Sequence, residues 1–229
     1  MNYPNIVAID GPAASGKTTI GNLLANRWGY LFFDTGVMYR AVTWLALKND
    51  IKPKDQKSVS DLAESVQIDV VPPSKDDGRE YDVLADGVDV TWLIRKPKVD
   101  AKVSRISAYP RVREALTQQQ RRIGLRGKVI MVGRDIGTVV LPEADLKIYL
   151  DASVDERAER RYLQRVERGE EVELKKILKK LEKRDKKDST REIAPLRAAP
   201  DAVVINTDDL SIPEVVAKIE EIVQGLCEE

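Results

Sequence analysis

The sequence predicts an α/β protein in three layers, with helices over both faces of a parallel sheet. Three observations predict it. Short apolar runs recur along the chain, at Ile6–Ile9, Tyr30–Phe33, Val129–Val132, Ile148–Leu150 and Val203–Ile205, and helix-period segments separate most of them. The first run leads directly into Gly11-Pro12-Ala13-Ala14-Ser15-Gly16-Lys17-Thr18, followed by a helix-like segment from Thr19 to Trp28. Residues 67–91 then break the alternation with a hairpin pattern of their own.

Each element has its own local warrant. Apolar runs without alternation are what strands buried on both faces require. Asp10, Asp34, Asp135 and Asp151 fall at or just past the C-terminal ends of such runs, the edge where open parallel sheets bind ligands. In the interrupting stretch, Gln67–Val71 and Tyr81–Leu84 flank a polar segment, and Asp86-Gly87 separates Leu84 from Val88. Asp-Gly between alternating residues is a hairpin turn, so a small antiparallel element is inserted in the core. Two helices follow at Lys98–Ala108 and Val112–Arg126, divided by Pro110. The segment Asp155–Gly169 is rich in arginine and ends in glycine, and Glu173–Lys187 is a further charged helix. Ser211 and Glu214 have capping-box spacing at the head of the last helix.

Composition sets outer bounds. The chain has 229 residues, 42% hydrophobic and 33% charged, as expected of a water-soluble globular protein. Its 38 basic and 38 acidic residues balance, so no net field draws it to nucleic acid or membrane. Cys227 is the single cysteine, which excludes an intramolecular disulfide and fits a reducing compartment. There is no histidine, so imidazole chemistry is excluded. The first residues lack a basic region leading into a long apolar stretch, and no run reaches transmembrane length. Cytoplasm is the expected setting.

The glycine run carries the chemistry. Gly, four residues, then Gly-Lys-Thr between strand and helix is a phosphate-binding loop. Its backbone N–H groups can wrap phosphate oxygens at a helix N-terminus. Lys17 supplies a cation to the β- and γ-phosphates, and the Thr18 hydroxyl is placed to ligate Mg²⁺. The loop alone does not separate a kinase from a GTPase or a motor. No Asn-Lys-x-Asp run specifies guanine, and the short chain favours a small-molecule phosphotransferase.

Four further segments have the makings of an acceptor site. In Asp34-Thr35-Gly36-Val37-Met38-Tyr39-Arg40, a hydroxyl and a guanidinium five residues apart can reach one phosphate. Ser104 stands near Pro110-Arg111-Val112-Arg113, which taken alone reads more readily as a helix break with solvated arginines. Gly133-Arg134-Asp135-Ile136-Gly137-Thr138 closes the third run, with a structural ion pair as the competing reading. Arg184, Asp188 and Arg191 are spaced four and three apart and on a continuous helix would share one face. Surface ion pairing explains that last spacing equally well.

Taken together, GPAASGKTT, DTGVMYRA, PRVREAL, GRDIGTVVLP, LKIYLDAS, ERAERR and RDKKDSTREIAPL resemble the bacterial cytidylate kinases, a branch of the P-loop nucleoside monophosphate kinases. The resemblance runs from about Ile6 into the last helix and includes the insertion. It implies a single kinase domain: a core of about residues 1–35, 106–154 and 172–229, an NMP-binding insertion at about 36–105, and a helical lid at about 155–171. It implies transfer of the γ-phosphate of ATP to CMP, and to dCMP, with Mg²⁺; balanced charge and no marked apolar face lead to the expectation of a monomer without nucleic-acid or membrane partners. The donor would lie on Gly11, Pro12, Ala13, Ala14, Ser15, Gly16, Lys17, Thr18 and Thr19, with lid arginines Arg157, Arg160 and Arg161 closing on it. Thr35, Arg40 and Arg134 would hold the acceptor phosphate. Arg184 and Asp188 would engage the ribose, with Arg184 also near the phosphates, and Ser104, Arg113, Asp135 and Arg191 would read the base. Lys17, Arg134 and Arg184 are the expected catalytic residues. Two positions depart from the pattern: Thr35 stands where many relatives have serine, and Val132 where they often have a carboxylate. The rival readings are another P-loop small-molecule kinase, or a non-catalytic nucleotide- or RNA-binding protein using the basic helices.

Overall fold

The computed structural model describes residues 3–226, so Cys227 lies outside the described residues. Among the described residues, eight strands and eight α-helices occur in the order β1 (Ile6–Asp10), α1 (Lys17–Trp28), β2 (Leu31–Asp34), α2 (Gly36–Lys48), α3 (Gln56–Ser65), β3 (Ile68–Val71), β4 (Asp82–Ala85), β5 (Val88–Asp89), α4 (Pro97–Ile106), α5 (Pro110–Gly124), β6 (Val129–Val132), β7 (Leu146–Asp151), α6 (Val154–Glu167), α7 (Leu174–Thr190), β8 (Val203–Asn206) and α8 (Ile212–Leu226). The main sheet has the order β2-β6-β1-β7-β8, and a second sheet has the order β3-β4-β5. The chain divides into two units, Leu31–Val129 and the remainder on either side of it.

In the discontinuous unit, β1 pairs in parallel with β7, Val7 opposite Leu146 and Asp10 opposite Tyr149. β7 pairs in parallel with β8. Every residue of β1 is buried, which explains its unbroken apolar run. Two glycines bound α1. Gly16 (φ +93°) opens it, and Gly29 (φ +69°) ends it by donating its N–H to Ala25 O. Ser153 caps α6 by accepting from Glu156 N at 3.2 Å. Helix α7 lays Ile177 and Leu181, four residues apart, against Ala158 of α6 and Ala13 of the glycine loop. Burying an aliphatic side chain of that size contributes about 2 kcal/mol. At the head of α8, Ser211 N and Oγ both donate to Glu214 Oε2, at 2.8 and 2.5 Å, close to the predicted box.

The unit Leu31–Val129 holds the predicted antiparallel element. β3, β4 and β5 are antiparallel, Ile68 opposite Ala85 and Leu84 opposite Asp89. Asp86 (φ +48°) and Gly87 (φ +77°) form the two-residue turn that Asp-Gly predicts. Arg79 lies between these strands and is held by three carboxylates, Asp77, Asp82 and Asp89, at 2.7, 2.6 and 2.8 Å. Pro110 does more than divide two helices: it occupies the first turn of α5, where its missing N–H costs nothing. Helices α2 and α3 and a five-residue π-helical turn, Ile136–Val140, have no counterpart in the sequence reading. That turn replaces the plain loop expected after β6. It forms because Val140 N and Val139 N both donate to Asp135 O.

Candidate active site

The glycine loop owes its shape to close backbone approaches. Gly11 has φ +147°, and a Cβ there would lie 2.1 Å from the carbonyl oxygen of Leu150 on β7. Ala14 (φ +64°) and Gly16 (φ +93°) take left-handed conformations, the kind of backbone turn that lets successive N–H groups face an anion. Lys17 is buried, and its Nζ donates to Pro12 O at 2.5 Å and Ser15 Oγ at 3.2 Å. Thr18 and Thr19 are exposed at the start of α1.

The same unit brings together five residues of the predicted acceptor set. Arg191 donates to Asp135 Oδ1 at 3.3 Å. Arg134 Nε donates to Asp188 Oδ2 at 3.1 Å, and Arg184 Nε approaches that same oxygen at 3.8 Å. Asp135 is 9% exposed at its side chain and Arg191 19%, so this contact is partly removed from water. Arg191 does not share a helix face with Arg184 and Asp188. α7 ends at Thr190, and Arg191 is extended, with its Nε donating to Ala194 O. The departure from helix is what turns its guanidinium toward Asp135.

One residue that the sequence reading placed only at a strand end organises this turn. Asp10 is 3% exposed, and its two oxygens accept from Ile136 N at 2.8 Å and Gly137 N at 2.7 Å. Burial pushes its carboxyl up to about 6, against the lowering effect of those two N–H groups; Asp135 raises it further and Lys17 lowers it.

The arginines at 157, 160 and 161 behave differently from one another. Arg157 is buried: Nε donates to Ala152 O (2.9 Å), one terminal nitrogen to Ala13 O (3.1 Å) and the other to Asp185 Oδ2 (2.6 Å). It thus ties α6 and α7 to the glycine loop. Asp185 escaped notice in the sequence because its partner lies 28 residues away. Arg160 bonds Glu156 and Thr207, while Arg161 is exposed and donates to Gln164.

In the unit Leu31–Val129, Thr35 is buried at the N-terminus of α2. Gly36 N donates to Asp34 Oδ1 at 2.9 Å, and a Cβ on Gly36 would meet that oxygen at 3.0 Å, so the turn is tight. Arg40, one turn into α2, pairs with Asp100 at 2.5 Å. Arg113 is buried with its guanidinium over the Tyr39 ring, 5.6 Å from the centroid, and donates to Ser107 O. Ser104, exposed on α4, accepts from Ser107 Oγ through its own carbonyl. Tyr39 and Asp100 are the supports that spacing alone did not reveal.

Known proteins resemble this chain along most of its length. A cytidylate kinase from Roseiflexus castenholzii is 49% identical over 220 residues, covering 96% of this chain and 93% of the relative. One from Herpetosiphon aurantiacus is 48% identical, covering 94% and 92%. An uncharacterized protein from Eubacterium ventriosum, known from its crystal structure, superposes with a TM-score of 0.52 at 12% identity, covering 96% of this chain and 98% of its own; that likeness bears on the fold alone. The family model for cytidylate kinase matches residues 7–225, and the chain belongs to the cytidylate kinase family.

Proposed function

We propose that this protein transfers the γ-phosphoryl group of ATP to CMP, giving ADP and CDP, and that dCMP is also accepted. The observation that carries the reading is the contact of Arg191 with Asp135 beside the Arg134–Asp188 pair, in the unit that also holds the phosphate loop. Cytosine presents an amino donor beside two acceptors. Asp135 and Ser104 accept from the amine, and Arg113 and Arg191 donate to N3 and O2. Uracil would set a carbonyl oxygen against the Asp135 carboxylate, two acceptors with no proton between them, and such a mismatch lets sites discriminate strongly.

The chemistry needs positioning and charge neutralisation more than covalent help. Gly11 to Thr19 cradle the donor phosphates, and Lys17 offsets their charge. Thr35, Arg40 and Arg134 hold the acceptor phosphate, while Asp188 and Arg184 fix the ribose. An oxygen of CMP's phosphate is already anionic, so no side-chain base is required, which suits a chain without histidine. A hard cation is held by oxygen, and the Thr18 hydroxyl is the donor this loop offers; Mg²⁺ there would neutralise phosphate charge. Residues 155–171 act as a lid that excludes water, and residues 36–105 as the acceptor-binding insertion. The protein acts as a monomer in this reading, and the nucleotide substrates support a cytoplasmic setting. An acceptor panel with Mg-ATP in a coupled ADP-release assay tests the reading. CMP is expected to exceed UMP and AMP by about 100-fold or more in kcat/KM, with Asp135→Ala erasing most of that preference. Better turnover of UMP or AMP overturns it.

A further inference from the structure

β1 controls more than the phosphate loop that follows it. Its last two residues also fix the stretch Gly133–Gly137 at both ends. On one side Gly133 N donates to Ile9 O at 3.0 Å. On the other, the Asp10 carboxylate takes the N–H groups of Ile136 and Gly137. These are the first N–H groups of the short π-helical turn, which have no partner within it. Arg134 and Asp135, the two residues between the anchors, belong to the proposed acceptor set. Asp135 has φ −148° and ψ 25°, a conformation outside the regular helix and strand regions, so it needs fixing from both sides. Gly137 adds to the fit: a Cβ there would lie 3.5 Å from Asp10 Oδ2 and 3.2 Å from the Lys147 side chain.

We infer that Asp10 is a positioning residue for base recognition: by gripping Ile136 N and Gly137 N it aims Asp135 at Arg191 and at the acceptor base. The inference rests on the reading of Asp135 and Arg191 as base-reading groups. Asp10 itself touches neither substrate. It is a side chain of β1 acting on a turn that lies 126 residues along the chain. Asparagine is nearly isosteric but has one accepting oxygen and one donating amide, so it can satisfy only one of the two N–H groups. A shift of well under 1 Å at Asp135 then suffices to spoil the match to cytosine.

The test is a set of steady-state constants for CMP and UMP, with ATP affinity measured separately by calorimetry without acceptor. Wild-type preference for CMP is established first; if wild type has none, the proposed function fails before any variant is made. In Asp10→Asn the CMP-over-UMP ratio of kcat/KM is expected to fall about tenfold or more, with a raised KM for CMP and ATP affinity within about twofold. In an Asp135→Ala background, Asp10→Asn is expected to change the ratio by less than about twofold, because the two residues act through one another. A folded Asp10→Asn that keeps its base preference, loses ATP affinity as far as CMP affinity, or adds fully to Asp135→Ala overturns the inference while leaving the function intact. Asp10→Ser, smaller and with one accepting oxygen, is expected to repeat the result. If neither variant folds by circular dichroism, Asp10 is a structural residue and the inference fails.

Discussion

Two buried carboxylates in this molecule meet opposite fates. Asp10 and Asp82 are 3% and 4% exposed. Asp10 is satisfied by backbone N–H groups and is pushed up to about 6, chiefly by its burial. Asp82 faces the Arg79 guanidinium at 2.6 Å and a bond from Ser74 N, and lies below the ordinary carboxylate range despite its own burial. Its neighbours Asp77 and Asp89 are lowered as well, Asp77 chiefly by Arg79 and Asp89 chiefly by Thr91. The nature of the partner decides the outcome, not the depth. A full cation offsets the desolvation of a carboxylate, whereas two amide dipoles do so only in part. The insertion therefore uses its charges for stability. The turn after β6 holds a charge at a net cost, which is sensible where geometry matters more than stability.

That contrast can be broken in several ways. The largest effect belongs to Lys17→Ala, expected to lower kcat by about 10²–10³-fold with little change in unfolding midpoint, since the proposed function has Lys17 serve the transferred phosphate. Normal phosphoryl transfer in that variant would falsify the loop's role. Next is Arg79→Ala. It strands three carboxylates around one vacancy and is expected to lower the thermal midpoint by about 5 °C or more, with kcat/KM for CMP within about threefold. A large activity loss at unchanged midpoint would reverse the roles assigned to the two regions.

The smallest effect is a pH dependence of opposite sign at the two sites. Asp10 binds its proton more tightly when folded, about 6 against 3.8 unfolded, so its contribution is complete below about pH 4 and declines as pH rises through 6. The full difference is about 3 kcal/mol. About 2 kcal/mol of it should appear between pH 4.5 and 7.5 as a shift in the stability of Asp10→Asn relative to wild type, in the variant's favour, by urea titration. Asp77, Asp82 and Asp89 are lowered, so their contribution is complete above about pH 4 and disappears on further acidification. Removing Arg79 should therefore flatten the acid limb and leave the Asp10 shift in place. Equal and parallel pH curves for the two variants would mean that the sites do not differ in kind.

Much of the fold was legible because its signals are local. Gly16 opens α1 through its own positive φ, Asp86-Gly87 makes the hairpin turn through its own conformational freedom, and Ser211 meets Glu214 three residues away. The site was legible in its residue types, since Arg134, Asp135, Asp188 and Arg191 do meet. Their supports were hidden for the same physical reason. Asp10 reaches a turn 126 residues on, Asp185 holds an arginine 28 residues back, and Tyr39 lies under an Arg113 three helices away, and no periodicity encodes such pairings.

The residue order by itself determined the parallel α/β architecture, the phosphate loop and the kinase family, because backbone preferences and apolar periodicity act over a few residues. Tertiary structure alone decided that Arg191 leaves its helix to meet Asp135, and that the end of β1 grips the turn between them. Those choices depend on which carboxylate is buried beside which N–H, and only packing sets that distance.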